Sequence, residues 1–541
     1  MARNGFDSAL LAWKQLLADD QIVSDETSLA NAETATFAYD AKVLAILYPE
    51  KDQLASCLQV ARQYQQKLYT ISSGKNWGYG SQVPVSSDSV LLNLSRLKKI
   101  TNYDKKNGVV TVEAGVTQAE LAAFLKQQGD LHWMDCTGSS ASCSVVGNTV
   151  ERGFGHTAYG EHVKHVCGLE VMLIDGQVIR TGLHRFGSAK AAGVYQPGLG
   201  PALEGLFFQS NLGIVLSITL WLMPKPDSFL AFYISTEQDM LEDIVDALSH
   251  LKRQGYLTSL PHIANPFRVL PGLQQFPKED TAQRAYPLSA QRLAQLRNHW
   301  QVGVWNVSGA LYGTKQQVRL AKSALKKRFR QFNATQLNFI SDNLLQAIEK
   351  YQWLLSKLLR RDMARVLAVL KPVHLMMKGQ PSDNFLASAY WRMPELPDRE
   401  YQLDQDGVGL IWCAVVAPAE GGHARCIEKI VTYTLASFGF EGGITFTLLN
   451  ERCLDAVISI SFNRRSTDGI DWDQKAITCR AQLYKHLLQD GYFPYRLDIS
   501  MMQFLAAHSA PEYEQLLRSV KHLFDADNLL SPGRYIVSTD V

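Results

Sequence analysis

No apolar run in the sequence approaches the roughly 20 residues that cross a bilayer. The opening stretch, MARNGFDSALLAWKQLL, lacks a signal-peptide core ending in small residues, so a cytoplasmic protein is the expectation. It patterns as an amphipathic helix, with Leu10, Leu11, Trp13, Leu16 and Leu17 on one side. Cysteine is scarce and scattered: eight in 541 residues, none in a CxxC pair. That disfavours a zinc knuckle or thioredoxin-type motif and suits free thiols in a reducing compartment, so no metal is expected. GxxxxGK[ST] is absent, and no GxGxxG opens a helix after a strand, which argues against P-loop and Rossmann nucleotide binding. Neither sign of charge dominates: 54 Lys and Arg stand against 52 Asp and Glu, net +2. A nucleic-acid partner would ask for a basic stripe. The one basic cluster, Lys322–Arg330, reads as a solvated helix face. Internal repeats and low-complexity segments are also missing.

What is present reads as globular, with 46% hydrophobic and 20% charged residues. At this length two packed domains of α+β character are expected. Residues 40–226 alternate short strands, helices and Gly-rich turns. VLAILYPEKDQLASCLQVARQYQQKLYTIS reads as strand, proline turn, helix, strand. SVLLNLSRL and GVVTVEAGV read as strands with KKNG as the turn between them. TQAELAAFLKQQG is a helix capped by Thr117 and Glu120, with Gly129 past its end. GLEVMLIDGQVIRTG is a hairpin around Asp175-Gly176. After Pro226 the texture changes to longer helices, expected at 313–331 and 338–361, between strands such as VSGALYG and AVISISFN. The expected division is 1–228, a second unit at 229–490, and a segment 491–541 that includes a helix at 511–524.

Two glycine-rich stretches carry the chemistry: SSGKNWGYGSQVP at 72–84 and GNTVERGFGHTAYGEH at 147–162. Both bunch backbone N–H groups, hydroxyls and glycines that permit close approach. Two such loops in one domain could wrap a pyrophosphate from two sides, or could simply be turns between strands.

The order of these motifs is what becomes recognisable. YPEKDQLASCLQVARQY…ISSGKNWGYG, VTVEAGVTQAELAAFL, SVVGNTVERGFGHTAYGEHVKHVCGLEVMLIDGQVIRTG and GLFFQSNLGIVLSITLWLMPKP are followed by SGALYG, GITFT, ISISFN, PYRLD and SPGRY. In this order they resemble the vanillyl-alcohol oxidase / p-cresol methylhydroxylase family of FAD enzymes over nearly the whole chain. The resemblance implies a two-domain fold, with an FAD-binding domain from both ends of the chain and an α+β cap over the flavin. It implies FAD contacts from Ser72, Ser73, Gly74, Lys75 and Asn76, from Ser144, Gly147, Asn148, Glu151, Arg152, Gly153 and Gly155, and from Asn211, Gly213, Ile214 and Arg534. Phenol-oxidising members hold the phenolate with two tyrosines and an arginine, here Tyr79, Tyr495 and Arg496. Tyr79 packing under the flavin and Arg496 pairing with a flavin oxygen are the plainer roles.

The departures from the family pattern are equally specific. The flavin-attachment position in DGVGLIWCAVVAP corresponds to Gly409, which has no side chain, so a dissociable FAD is expected; Cys143 and Cys413 are the alternatives. Asn76 stands where bicovalent relatives have a histidine. The carboxylates near the reacting carbon are missing: only Gly, Ser, Thr, Ala and Cys follow Asp135 in DCTGSSASCS, and Phe385 falls near a cap glutamate. His156 stands where a tyrosine is common. It is a candidate base or a loop hydrogen-bonder. Three readings follow: an oxidoreductase taking hydride from a para-substituted phenol or benzylic alcohol, one acting on a non-phenolic alcohol, hydroxy acid or natural-product intermediate, and a flavin-binding protein without turnover. Partners implied are a small-molecule substrate, oxygen or a redox protein such as a cytochrome as electron acceptor, and a second copy in a homodimer.

Overall fold

The expected strand–helix–strand unit is present as Val43–Leu47, the helix Leu54–Gln63 and Lys67–Ile71 in a computed structural model describing residues 2–283, 286–360 and 362–537. Both strands run parallel to Ser89–Asn93, which lies between them. The N-terminal helix Ala2–Leu16 buries Ala9, Trp13 and the following Leu17, and Trp13 Nε1 donates to the Cys57 carbonyl at 3.1 Å. Leu11 and Leu16 are exposed, which corrects the helix face read from the sequence. The buried stripe follows i, i+4, i+8, and adjacent leucines cannot share it.

A second sheet is antiparallel, in the order Ile100–Asp104, Val109–Glu113, Ile214–Trp221, Val166–Met172, Val178–Arg180. The KKNG turn therefore joins Val109–Glu113 to Ile100–Asp104, and Ser89–Asn93 belongs to the first sheet. The half-exposed Ile100–Asp104 lacks the apolar run that marks a strand in sequence. The helix Gln118–Gln127 has the expected capping box, with Thr117 accepting from Glu120 N and Glu120 accepting from Thr117 N.

Residues after Pro226 build an eight-stranded antiparallel sheet. Its order is Thr335–Ile340, Ser228–Thr236, Asn306–Gly313, His262–Ala264, Gly443–Leu448, Cys453–Asn463, Val408–Pro418, Pro494–Arg496. One expected helix is Lys315–Phe329; the other, 338–361, resolves into the strand Thr335–Ile340 and two short helices, Asp342–Lys350 and Gln352–Leu359. Ser341 explains the break, because its side chain accepts from Leu344 N and starts a new helix.

Along Cys453–Asn463, Leu454, Ala456, Ile458, Ile460 and Phe462 enter one core with the helices Leu241–Arg253, Gly421–Ser437 and Trp472–Gln489. The alternate residues Asp455, Val457, Ser459 and Ser461 face the other way, toward the first two sheets. The chain then returns: Leu68 N donates to Leu529 O at 2.8 Å, and Ser531 N to Leu68 O at 2.6 Å. Thr36 stitches the first glycine loop to the large sheet. Its hydroxyl accepts from Gly78 N at 3.0 Å and donates to Leu410 O at 2.8 Å.

Candidate active site

The chain leaves the carboxyl end of the parallel strand Lys67–Ile71 straight into the loop at 72–84, the position where open α/β sheets bind ligands. Among the described residues, the backbone N–H groups of Ser72, Ser73, Gly74, Lys75 and Asn76 donate to no protein acceptor. The second loop is fixed against the first: Ser144 N donates to Ser73 Oγ at 3.1 Å, and Ser144 Oγ accepts from Gly147 N at 2.9 Å. A Cβ at Gly147 would stand 2.5 Å from Ser72 Oγ, so only glycine lets the loops meet. The result is a concave run of N–H donors and hydroxyls, suited to an anion.

A cavity of about 1230 Å³ lies between these loops and the eight-stranded sheet. It exceeds the roughly 300–1,000 Å³ of ordinary small-molecule sites. Ser72, Ser73, Gly74, Lys75, Asn76, Ser144, Gly147, Asn148, Glu151, Gly153, Asn211, Gly213, Ile214 and Arg534 all line it, as do Tyr79, His156, Tyr495 and Arg496. Two expected residues do not. Arg152, at φ 55°, is exposed on the outside of its turn. Gly155 packs on the Asp135 loop, where a Cβ would meet the Asp135 carboxylate.

Glu151 organises one end of the cavity. Its carboxylate accepts from Arg534 Nη2 at 2.6 Å and Tyr535 Oη at 2.5 Å, and Arg496 Nε lies 3.4 Å away. Burial pushes its pKa up, but Arg534 and Arg496 outweigh that and hold it below the usual range. Arg496 also donates to Asn76 Oδ1 at 2.7 Å, and its guanidinium lies 4.3 Å over the Tyr79 ring. Burial raises the phenol pKa of both Tyr79 and Tyr495, against the lowering effect of Arg496. Both phenols therefore stay protonated near neutral pH and can donate beside a fixed positive charge. Asn211 donates to Ser531 O at 3.0 Å, while its buried Oδ1 has no protein donor among the described residues.

His156 stacks on His262, rings 3.8 Å apart and 17° from parallel. Burial, then the second imidazole, lowers the His156 pKa well below its ordinary value. Burial lowers that of His262 to about 4. Each is a neutral imidazole at pH 7. His262 Nδ1 lies 2.9 Å from the Leu260 carbonyl, so Nδ1 carries the proton and Nε2 is the basic nitrogen. Asp135, at the head of the stretch expected to lack a carboxylate near the reacting carbon, turns away from the cavity. It accepts from Thr157 N at 2.7 Å and lies 2.7 Å from His162 Nε2.

Residues that sequence reading missed come from the large sheet and the helix Pro266–Leu273 that follows its strand His262–Ala264. Besides His262, they are Arg268, which lines the cavity, and Asp455, whose charge would raise the pKa of Tyr79 and Tyr495. Asp455 is fully buried, neither carboxyl oxygen has a partner among the described residues, and burial raises its pKa well above the ordinary value. The reading of Gly409 also needs correction. A Cβ there would press on the Phe462 ring, inside the sheet's own core, and Cys413 faces that core too. The residues of this strand that reach the cavity are Leu410 and Trp412. Cys143 does line the cavity, with its thiol donating to Ser139 Oγ at 3.3 Å and its pKa raised by burial.

Residues 43–182 match a family model described as an FAD binding domain. The chain is 33% identical over 532 residues to the 1'-carboxy-chondrochloren decarboxylase of Chondromyces crocatus, covering 98% of this chain and 97% of that one. It is 26% identical over 537 residues to the flavoprotein subunit of the hydroxylating 4-cresol dehydrogenase of Pseudomonas putida, covering 98% and 95%. Among solved structures, p-cresol methylhydroxylase with substrate bound superposes with a TM-score of 0.88 at 24% identity, covering 99% of this chain and 98% of that one. The 4-ethylphenol oxidase of Gulosibacter chungangensis, in its isoeugenol complex, gives 0.88 at 23% identity with the same coverage. At these identities the two structures speak to the fold.

Proposed function

The chain belongs to the p-cresol methylhydroxylase-type family of FAD-binding flavoproteins, and on that premise we propose that it takes a hydride from a para-substituted phenol or benzylic alcohol. The family makes FAD the cofactor and oxidation–reduction the class of reaction. The unbonded N–H run at Ser72–Asn76, the close approach at Gly147 and the vacant Asn211 Oδ1 fit that group. They would hold its pyrophosphate and polar edges, with residues 1–228 and 491–541 forming its domain, apart from the strand Pro494–Arg496 at the edge of the large sheet, and 229–490 the cap. Bound FAD supplies a two-electron acceptor at flavin N5.

The observation that carries the phenol reading is the convergence of Tyr79, Tyr495 and Arg496 at one end of the cavity. Two neutral phenols and one permanent cation around the substrate oxygen favour its ionised form. Loss of hydride from the para-benzylic carbon of a phenolate leaves a neutral quinone methide, and the oxygen's electrons move into the ring as it forms. The three donors also keep the benzylic carbon in one orientation. For a benzylic alcohol, the hydroxyl proton goes to neutral His156 as the hydride leaves the carbinol carbon. Oxygen or a redox protein then accepts the electrons, and the working unit is a dimer.

A second reading is favoured by the 33% identical relative, whose name is that of a decarboxylase. If the quinone methide carries a carboxylate on the carbon next to the benzylic one, the C–CO2 bond can break. Its electron pair then restores the phenolate and forms an alkene, releasing CO2. No oxidant beyond FAD is needed. Anaerobic incubation with 3-(4-hydroxyphenyl)propanoate separates the two outcomes: 4-vinylphenol and CO2 for decarboxylation, 4-hydroxycinnamate or the benzylic alcohol for oxidation alone.

The test of the anchor is stopped-flow flavin reduction by 4-ethylphenol and by its methyl ether. The phenol should reduce the flavin and the ether should not. In Tyr495→Phe and Arg496→Lys the reduction rate should fall by about 10²–10³, the usual cost of one donor to developing charge. Parent rates in both variants, with FAD content unchanged, would reject the phenolate assignment.

A further inference from the structure

Arg268 is a cation that the phenolate anchor does not use. It sits on the helix Pro266–Leu273, and its guanidinium lies 4.9 Å over the Trp412 ring. Its neighbours are hydroxyls: Nε donates to Thr445 Oγ1 at 3.3 Å and Nη1 to Ser459 Oγ at 3.4 Å, both long. Among the described residues no carboxylate stands within ion-pair distance of it. Three more deeply buried arginines are each paired: Arg534 with Glu151 at 2.6 Å, Arg480 with Asp498 at 2.7 Å, Arg392 with Glu441 at 2.5 Å. Burial lowers the Arg268 pKa only to about 10, so it remains charged at neutral pH. An enclosed guanidinium with five N–H donors and no anion is costly unless a ligand completes it.

Sheet register shows where this cation stands relative to the anchor. One rung runs Ala264, Thr445, Val457, Ala414, Arg496 across five strands. Arg268 rests on Thr445, the second residue of that rung, and Arg496 is its far end. The three strand spacings from Thr445 to Arg496 amount to about 14 Å. Between them the rung carries Val457, which lines the cavity, and Ala414, neither of them polar. Trp412 and Ser459 pair on the next rung and carry the Arg268 guanidinium inward from its end. Arg268, Val457, Arg496, Thr445 and Trp412 all line the same cavity. The floor thus has a cation at each end and an apolar middle.

We propose that Arg268, with Thr445 and Ser459, is a carboxylate-binding subsite, and that the natural substrate is a para-substituted phenol whose side chain ends in a carboxylate. The phenol half of this statement rests on the reading above; the carboxylate half rests on Arg268 alone. A planar guanidinium suits a carboxylate because two N–H groups can meet two oxygens. The neutral His156–His262 pair adds no competing negative charge.

The probes are 3-(4-hydroxyphenyl)propanoate and 4-propylphenol, which share a skeleton and differ in the carboxylate, titrated against the oxidised flavin spectrum of the FAD-loaded protein by rapid mixing. The acid should bind about 10- to 100-fold tighter, the usual range for hydrogen bonds to a charged group. In Arg268→Met the ratio of the two dissociation constants should fall to within about threefold. Arg268→Lys should give an intermediate ratio, because the charge remains and the fork is lost. No preference in the parent, or an undiminished preference in Arg268→Met, overturns the subsite. Should Arg268→Met lose FAD, the residue is a cofactor contact and the subsite is likewise overturned unless Arg268→Lys, still yellow, shows a reduced ratio. A third probe, 3-phenylpropanoate, lacks the phenol. If it binds the parent as tightly as the hydroxylated acid and loses that affinity in Arg268→Met, the subsite stands and the phenolate anchor falls.

Discussion

The two walls of the cavity are made by different rules. The loop wall presents backbone: N–H groups at Ser72–Asn76 and a glycine contact at Gly147. The sheet wall presents side chains, one from every second residue, and its polar groups come from strands far apart in sequence. A backbone wall tolerates many side chains and few changes of chain path. A side-chain wall keeps its path while single substitutions change what it recognises. This division explains how one family can hold one cofactor and act on different substrates.

If the loop wall depends on its charged clamp, removing Glu151 should have the largest effect. Glu151→Gln leaves Arg534 and Arg496 enclosed without their carboxylate. Breaking a buried pair in this way costs about 3–5 kcal/mol. Denaturant unfolding of the apoprotein at pH 7 measures it, and loss below 1 kcal/mol would show that the clamp is not structural. The sign of its pH dependence is fixed. The folded pKa of Glu151 lies below 4.5, so the parent's advantage is complete above that value and fades as pH falls through the lower folded one.

The sheet wall should show the opposite sign at Asp455. Its folded pKa is raised well above 3.8, so the folded state binds a proton that the unfolded state releases. The Asp455 contribution to stability should therefore be greatest at low pH and fall by about 1.4 kcal/mol per pH unit above the unfolded pKa, until the folded pKa is passed. The difference between parent and Asp455→Asn isolates this slope. Parallel stability curves for the two proteins between pH 4 and pH 7 would mean that Asp455 is charged and paired by something else.

The smallest effect is expected from acid precipitation, which should release the flavin without any mutation. Neither Gly409 nor Cys413 presents a side chain to the cavity. Yellow colour in a washed pellet would point to Cys143, the cysteine of the three that lines it.

The loop wall was legible in the sequence because its determinants are local. A glycine-hydroxyl run after a strand states its own chemistry, and the order of two such runs with the later PYRLD and SPGRY motifs identifies the family. Tyr79, Tyr495 and Arg496 were found through that order and do meet in space. Arg268, His262 and Asp455 were not legible. His262 and Asp455 are ordinary polar residues until strand pairing gives them a face, with partners up to 185 residues away, as between His262 and Thr447, and Arg268 rides on the helix just after the strand of His262. The Gly409 reading failed for a related reason: a shift of one residue along a strand exchanges core and cavity faces, and Leu410 is the neighbour that faces in. The hidden strand Ile100–Asp104 shows the same limit, since a half-exposed strand carries little apolar signal.

The Thr36 stitch has a consequence for molecular traffic. Gly78 N, Thr36 Oγ1 and Leu410 O form one chain of hydrogen bonds, and Trp412 N to Gly78 O and Ile499 N to Tyr79 O, each 3.1 Å, run beside it. Rocking the large sheet away from the loops would have to break all of them together. The segment at 383–386 adds a further tie, since Asp383 accepts from Ser140 Oγ at 2.9 Å and Ala141 N at 2.8 Å, while Val366, Val369 and Val373 on the helix Met363–Met376 border the cavity with apolar side chains. Small molecules should therefore exchange past those valines by side-chain motion rather than by the slower opening of whole domains, which would break every one of these ties.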